Sequence, residues 1–146
     1  LIIVEKLAPV IGWHESGLIP LGKRLGDDPK CQFVEGDFFQ MAAGKTGFDP
    51  AEPAQKFDAI LLDIDHAPDF HLAPAHAGFY QPEGLAQLQQ HLTDGGVFAL
   101  WSNNPPDAAF TARLQSVFRS AKAIDVPFYN PLQGRDFIQS IYIARC

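Results

Sequence analysis

Of all the segments in the chain, Phe57–Asp63 leaves the fewest options open. Ala59-Ile60-Leu61-Leu62 is wholly apolar and stops at an acid, Asp63, which predicts a strand. Leu1–Val4 repeats the pattern and ends in Glu5, as a buried parallel strand does at its carboxyl end. Lys30–Glu35 reads as another strand, followed by Gly36-Asp37-Phe38-Phe39. Between these runs, Pro9 through Leu18 sets Val10, Ile11, His14 and Leu18 on one helical face until Pro20 interrupts it. Gly44 to Pro53 and Ile64 to Gln81 are loop by their Gly, Pro and polar content.

The second half alternates again. Pro82 suits the first position of a helix in which Leu85, Leu88 and Leu92 follow i, i+3, i+7 spacing. Asp94-Gly95-Gly96 closes that helix and starts a strand, Val97–Trp101. Asp107 is the expected N-cap of a helix with the stripe Phe110, Leu114, Val117 and Phe118. Ala123–Phe128 and Phe137–Ile143 are strands whose linker, Asn130 to Arg135, is too short for a helical crossover, so they pair antiparallel. The reading is therefore α/β, Rossmann-like: a doubly wound, mostly parallel sheet with a C-terminal antiparallel hairpin. No repeat or boundary divides it, and one domain spans 1–146. Ligands of such sheets bind outside the carboxyl ends of the strands. Glu5, Asp37, Asp63 and Ser102 fall there and make an acidic edge.

Composition narrows the function. Eleven Lys+Arg against 17 Asp+Glu give a net charge of −6, and the bases are scattered, which argues against a nucleic-acid or acidic-lipid surface. No apolar run approaches the roughly 20 residues of a membrane span. Cys31 and Cys146 make neither a disulfide framework nor a zinc set. Cytoplasmic residence is expected. The chain opens on a strand already under way, with no initiator Met and no signal peptide, and is expected to be a fragment.

Four stretches carry a resemblance. They are Val4-Glu5; Val34-Glu35-Gly36-Asp37; Phe57 through Asp63; and Phe79-Tyr80 through Gly84-Leu85, leading to Leu92-Thr93-Asp94-Gly95-Gly96-Val97-Phe98. In order and spacing, the chain resembles the class I S-adenosylmethionine-dependent methyltransferase fold, and more closely its spermidine synthase-like (polyamine aminopropyltransferase) branch. The resemblance implies S-adenosylmethionine or its decarboxylated form as cofactor and a small-molecule amine as acceptor. Glu5 would accept from the ribose hydroxyls, since both oxygens of a carboxylate accept. Asp37 would accept from the adenine amino group, with Phe38 beside the ring. Asp63, with Asp65, would orient and deprotonate the attacking amine. His66, Tyr80 and Trp101 are candidates to line the acceptor pocket, although buried aromatics such as Tyr80 and Trp101 more often belong to a core. Members of the branch commonly pair, so a homodimer is expected.

Three departures accompany the resemblance. The family's glycine-rich loop after its first strand has no counterpart here, nor has its small N-terminal β-domain. His66 stands where the family pattern has a second Asp. Without that first strand, the strands at Leu1–Val4 and Phe57–Leu62 either pair directly or leave unpaired edges and apolar side chains. Poor cofactor binding by this chain alone is expected, to be tested by calorimetry. A methyltransferase with the same pocket is one alternative, and a non-catalytic nucleoside- or protein-binding member is another.

Asp63, Asp65, His66, Asp69, His71 and His76 also crowd one window and invite a metal reading. Their spacing matches no metal motif, and no metal is assigned. His14 and His91 read as surface or boundary residues on helices, and Trp13 as core. Ser102 lacks a Gly-x-Ser-x-Gly context.

Overall fold

The structure is a computed structural model that describes all residues, 1–146. It divides into two compact units, Leu1–Gln55 and Lys56–Cys146.

The first unit is built on two short parallel strands, β1 (Ile2–Glu5) and β2 (Gln32–Glu35), paired from Ile2↔Gln32 to Glu5↔Glu35. Helix α1 (Ala8–Glu15) follows β1, with Pro9 in its first turn where no amide donor is missed. It stops before Ser16 and Gly17, short of the expected Leu18, because Gly17 takes a left-handed φ of 71°. Two short helices were not predicted. The first, α2 (Gly22–Gly26), has no side-chain cap. The second, α3 (Phe38–Ala43), is capped by Asp37, which accepts from the Phe39 and Gln40 amides. Val34, Phe38, Ala42 and Phe48 are the buried apolar residues here.

The second unit holds β3 (Phe57–Leu62), helix α4 (Pro82–Gln89), β4 (Leu92–Ser102), helix α5 (Ala108–Val117), β5 (Ser120–Asn130) and β6 (Arg135–Arg145). A 3₁₀ turn, Pro74–Gly78, interrupts the long loop after β3. The sheet order is β3-β4-β6-β5, with β3 and β4 parallel and both β6 pairings antiparallel. The expected hairpin is present and longer than predicted. Leu92 is a strand residue rather than the last residue of α4. It pairs with Phe57 before an irregularity lets Ala59 meet Val97, and Gly95 supplies the positive φ, 77°, inside that irregularity.

Burial along β4 alternates: Phe98, Leu100 and Ser102 are buried while Val97, Ala99 and Trp101 are half-buried. Both α4 and α5 lie on the Phe98 face. There Phe118 stacks on Phe98, and Phe110 sets its edge against Tyr142, while Leu85, Leu88 and Leu114 close the core.

The strands at Leu1–Val4 and Phe57–Leu62 do not pair. β1 bonds only to β2, and β3 only to β4. Two corrections follow. Every residue of β1 is half-buried rather than buried, as expected of a strand in a two-stranded sheet. In β3 the apolar run is not uniformly covered: Ile60 and Leu62 are buried, whereas Leu61 is 76% exposed. No helix is long and apolar enough to cross a membrane.

Candidate functional site

In the first unit, Glu5 ends β1 and Asp37 lies two residues beyond the end of β2. Because the strands are parallel and in register, both carboxylates stand at the same sheet edge. Glu5 spends Oε1 on the Leu7 amide at 2.7 Å, closing the turn into α1. Asp37 divides its oxygens. Oδ1 caps α3, accepting from Phe39 N at 3.0 Å and Gln40 N at 3.2 Å, and Oδ2 takes Lys6 Nζ at 2.7 Å. The bond from Lys6, together with its charge and the cap bonds, holds the Asp37 carboxyl below the usual carboxylate range despite partial burial.

Phe38 does not present its ring to the edge. It is 8% exposed and stacks on Phe48 at 5.2 Å, with Phe39 meeting it edge-on. The first residue of the capped helix turns into the core of this unit.

In the second unit, Asp63 is exposed one residue past β3. Asp65 is its opposite. Its side chain is buried and accepts from Tyr80 Oη at 2.9 Å, His76 Nδ1 at 2.9 Å and the Leu72 amide at 2.7 Å. With three donors on one carboxylate, Asp65 ties its own loop together. Tyr80, expected at the pocket wall, is 0% exposed and belongs to the core, set edge-on to Phe79 and Phe110 and stacked on His71. Burial beside the Asp65 charge pushes the Tyr80 phenol far up, so it stays a donor.

His66 is exposed on the same loop, its ring 4.9 Å from Phe70. Its carbonyl accepts from Asn103 N at 2.8 Å, and its Nδ1 lies 3.4 Å from Asn103 Nδ2. Asn103 in turn accepts from Gln139 Nε2 at 3.0 Å. The sequence reading missed Asn103 and Gln139. Asn103 was findable as the polar residue just past a strand end. Gln139 comes from a strand far away in sequence and left no signal. Trp101 is half-buried on the sheet face opposite Phe98, and Ser102 is buried, its Oγ accepting from the Asn104 amide.

The histidine-rich window does not converge. His76 is taken by Asp65, and His71 Nε2 donates to Pro68 O at 2.8 Å. No three His, Cys, Asp or Glu side chains are grouped to hold a metal.

No family profile and no curated protein matches the sequence. Solved structures match in shape. Spermidine synthase from Thermotoga maritima superposes with a TM-score of 0.64 at 18% identity, over 99% of this chain and 43% of that one. Human methyltransferase-like protein 13, solved with SAH, gives 0.65 at 17% identity over 98% of this chain and 59% of that one. The fold is that of the class I S-adenosylmethionine-dependent methyltransferases. A spermidine synthase solved with the transition state analogue AdoDATO matches over 99% of this chain and 45% of its own length, at 18% identity and a TM-score of 0.64. The chain therefore spans less than half the length of these two synthases. Within the methyltransferase fold, the edge bearing Glu5 and Asp37 and the edge bearing Asp63 are both carboxyl ends of parallel strands, where ligands of α/β sheets bind.

Proposed function

We propose that this chain is the nucleoside- and acceptor-binding part of a spermidine synthase-like transferase that moves an aminopropyl group to an amine. The observation that carries the reading is the contrast between two neighbouring carboxylates: Asp63 is exposed at the end of β3 while Asp65 is buried and locks the loop that follows. An exposed carboxylate next to a fixed loop suits a cationic acceptor that must be held and then lose a proton.

The donor set of the first unit fits a nucleoside. Glu5 keeps Oε2 for a ribose hydroxyl, and Asp37 Oδ2 accepts an amino hydrogen once Lys6 swings away. Lys6 is 67% exposed, and a surface ion pair of that kind holds about 1 kcal/mol or less. An S-adenosylmethionine-type cofactor, decarboxylated in aminopropyl transfer, supplies a sulfonium-bonded carbon open to displacement. Asp63 holds the acceptor's ammonium group by charge and takes its proton on a carboxylate oxygen, which leaves the nitrogen lone pair for attack. Asp65, Tyr80 and His76 keep the loop in place.

The fold likeness extends equally to methyltransferases, which supports methyl transfer to the same acceptor site as the second reading. Asp63→Asn separates catalysis from binding. Turnover with either form of the cofactor and a small primary amine is expected to fall about 10²–10⁴-fold, with 5′-methylthioadenosine affinity unchanged. Full turnover by the variant would sink the proposal, and a methylated amine as product would select the second reading.

A further inference from the structure

β4 and β6 are paired up to Ser102↔Ser140. Continuing that register by one residue sets Asn103 opposite Gln139, and the two side chains do meet, Gln139 Nε2 donating to Asn103 Oδ1 at 3.0 Å. With its oxygen taken, Asn103 turns its amide nitrogen toward His66 Nδ1, 3.4 Å away, while its backbone N–H holds the His66 carbonyl at 2.8 Å. A neutral imidazole has one donor and one acceptor nitrogen, and the bond at one decides the proton at the other. A donor facing Nδ1 puts the proton on Nε2. Phe70, tilted 33° at 4.9 Å, packs against the same ring.

We propose that Asn103, oriented by Gln139, is a positioning residue that fixes His66 as an Nε2–H donor in the acceptor subsite. The subsite then takes an amine that also carries an oxygen lone pair (carboxylate, carbonyl or hydroxyl) rather than a second ammonium. This rests on the reading of Asp63 as the partner of the acceptor's amine, and it names the acceptor's other end. Asp63, His66 and Asn103 follow the carboxyl ends of β3 and β4, two adjacent parallel strands, and Gln139 reaches Asn103 from β6.

Long-range ¹H–¹⁵N correlation spectra of the whole chain report the tautomer with no reference to activity. The expected result is Nε2–H at His66 in the native chain and a shift toward Nδ1–H in Asn103→Asp, whose carboxylate accepts where the amide donated. The His71 and His76 signals are expected to stay in place in the variant, showing that the loop is intact. Gln139→Ala, which frees the Asn103 amide to turn, is expected to give a mixture.

Titration with 4-aminobutanoate and 1,4-diaminobutane, followed at His66 and Asp63, tests the acceptor class. The aminoacid is expected to bind about three- to tenfold more tightly, the worth of one net hydrogen bond, and to lose that margin in Asn103→Asp. An Nδ1–H tautomer in the native chain overturns the relay even if amines bind. Tighter binding of the diamine overturns the oxygen-bearing acceptor. The expected tautomer with no response to either amine defeats the amine-acceptor reading and the subsite together.

Discussion

At the scale of single residues, the same side chain type does unlike work according to its donors. Asp37 is a helix cap and an ion-pair partner at once, and Asp65 is a buried anchor for a phenol, an imidazole and an amide, whereas Asp63 remains open to a ligand. Lys6 is the largest influence lowering the Asp37 pKa. Because the folded value lies below the unfolded one, the stability Asp37 contributes is present above the ordinary carboxylate pKa and is lost as pH falls through the folded value. Lys6→Met is therefore expected to raise the Asp37 pKa in a carboxyl ¹³C titration and to shrink the acid-side loss of stability. At neutral pH it should cost less than about 1 kcal/mol, since the lysine is exposed. An unmoved Asp37 titration would mean that the cap bonds alone set its acidity.

At the scale of elements, α4 depends on a close approach. A Cβ placed on Gly84 would stand 2.5 Å from Phe79 Cα and 2.7 Å from Phe79 O, all of it backbone that cannot step aside. Gly84→Ala is expected to destabilise the chain by about 1–3 kcal/mol, the usual cost of overpacking, in urea unfolding. It should do so although alanine is the better helix former; a stabilised variant would show that the turn at Pro74–Gly78 moves freely. The capped helices follow the sequence more directly. Asp107 accepts from Ala109 N and Phe110 N as expected of an N-cap, and Phe110 and Leu114 are fully buried. Asp37 uses the same device, yet α3 escaped prediction because its six residues contain too little of a helical stripe to read.

At the scale of the whole molecule, the outer edge of β3 carries no strand of its sheet, and Leu61 is 76% exposed beside it. Such an edge, apolar and unpaired, favours contact with other chains. Leu61→Lys is expected to leave the unfolding midpoint within about 0.5 kcal/mol, as a surface change, and to reduce concentration-dependent association in sedimentation velocity. A large loss of stability would show that Leu61 is covered in solution.

The sequence by itself determined the strands, the capped and stripe-bearing helix α5, the antiparallel hairpin and the placing of Glu5, Asp37 and Asp63 at strand ends. These are local properties: apolar runs, a cap three residues ahead of a buried aromatic, a linker too short to cross over. Tertiary structure alone decided which acids are spent and which stay open. Asp65 and Asp63 are two residues apart and alike in sequence. Their difference comes from Tyr80 and His76, folded back from 15 and 11 residues away. The same holds for Phe38 and Tyr80, drawn into cores, and for His66, whose partner Asn103 is 37 residues away and is itself bonded by Gln139, 36 residues further on. A hydrogen bond across such a separation leaves no periodicity to read, because it is made by strand register rather than by neighbours in the chain.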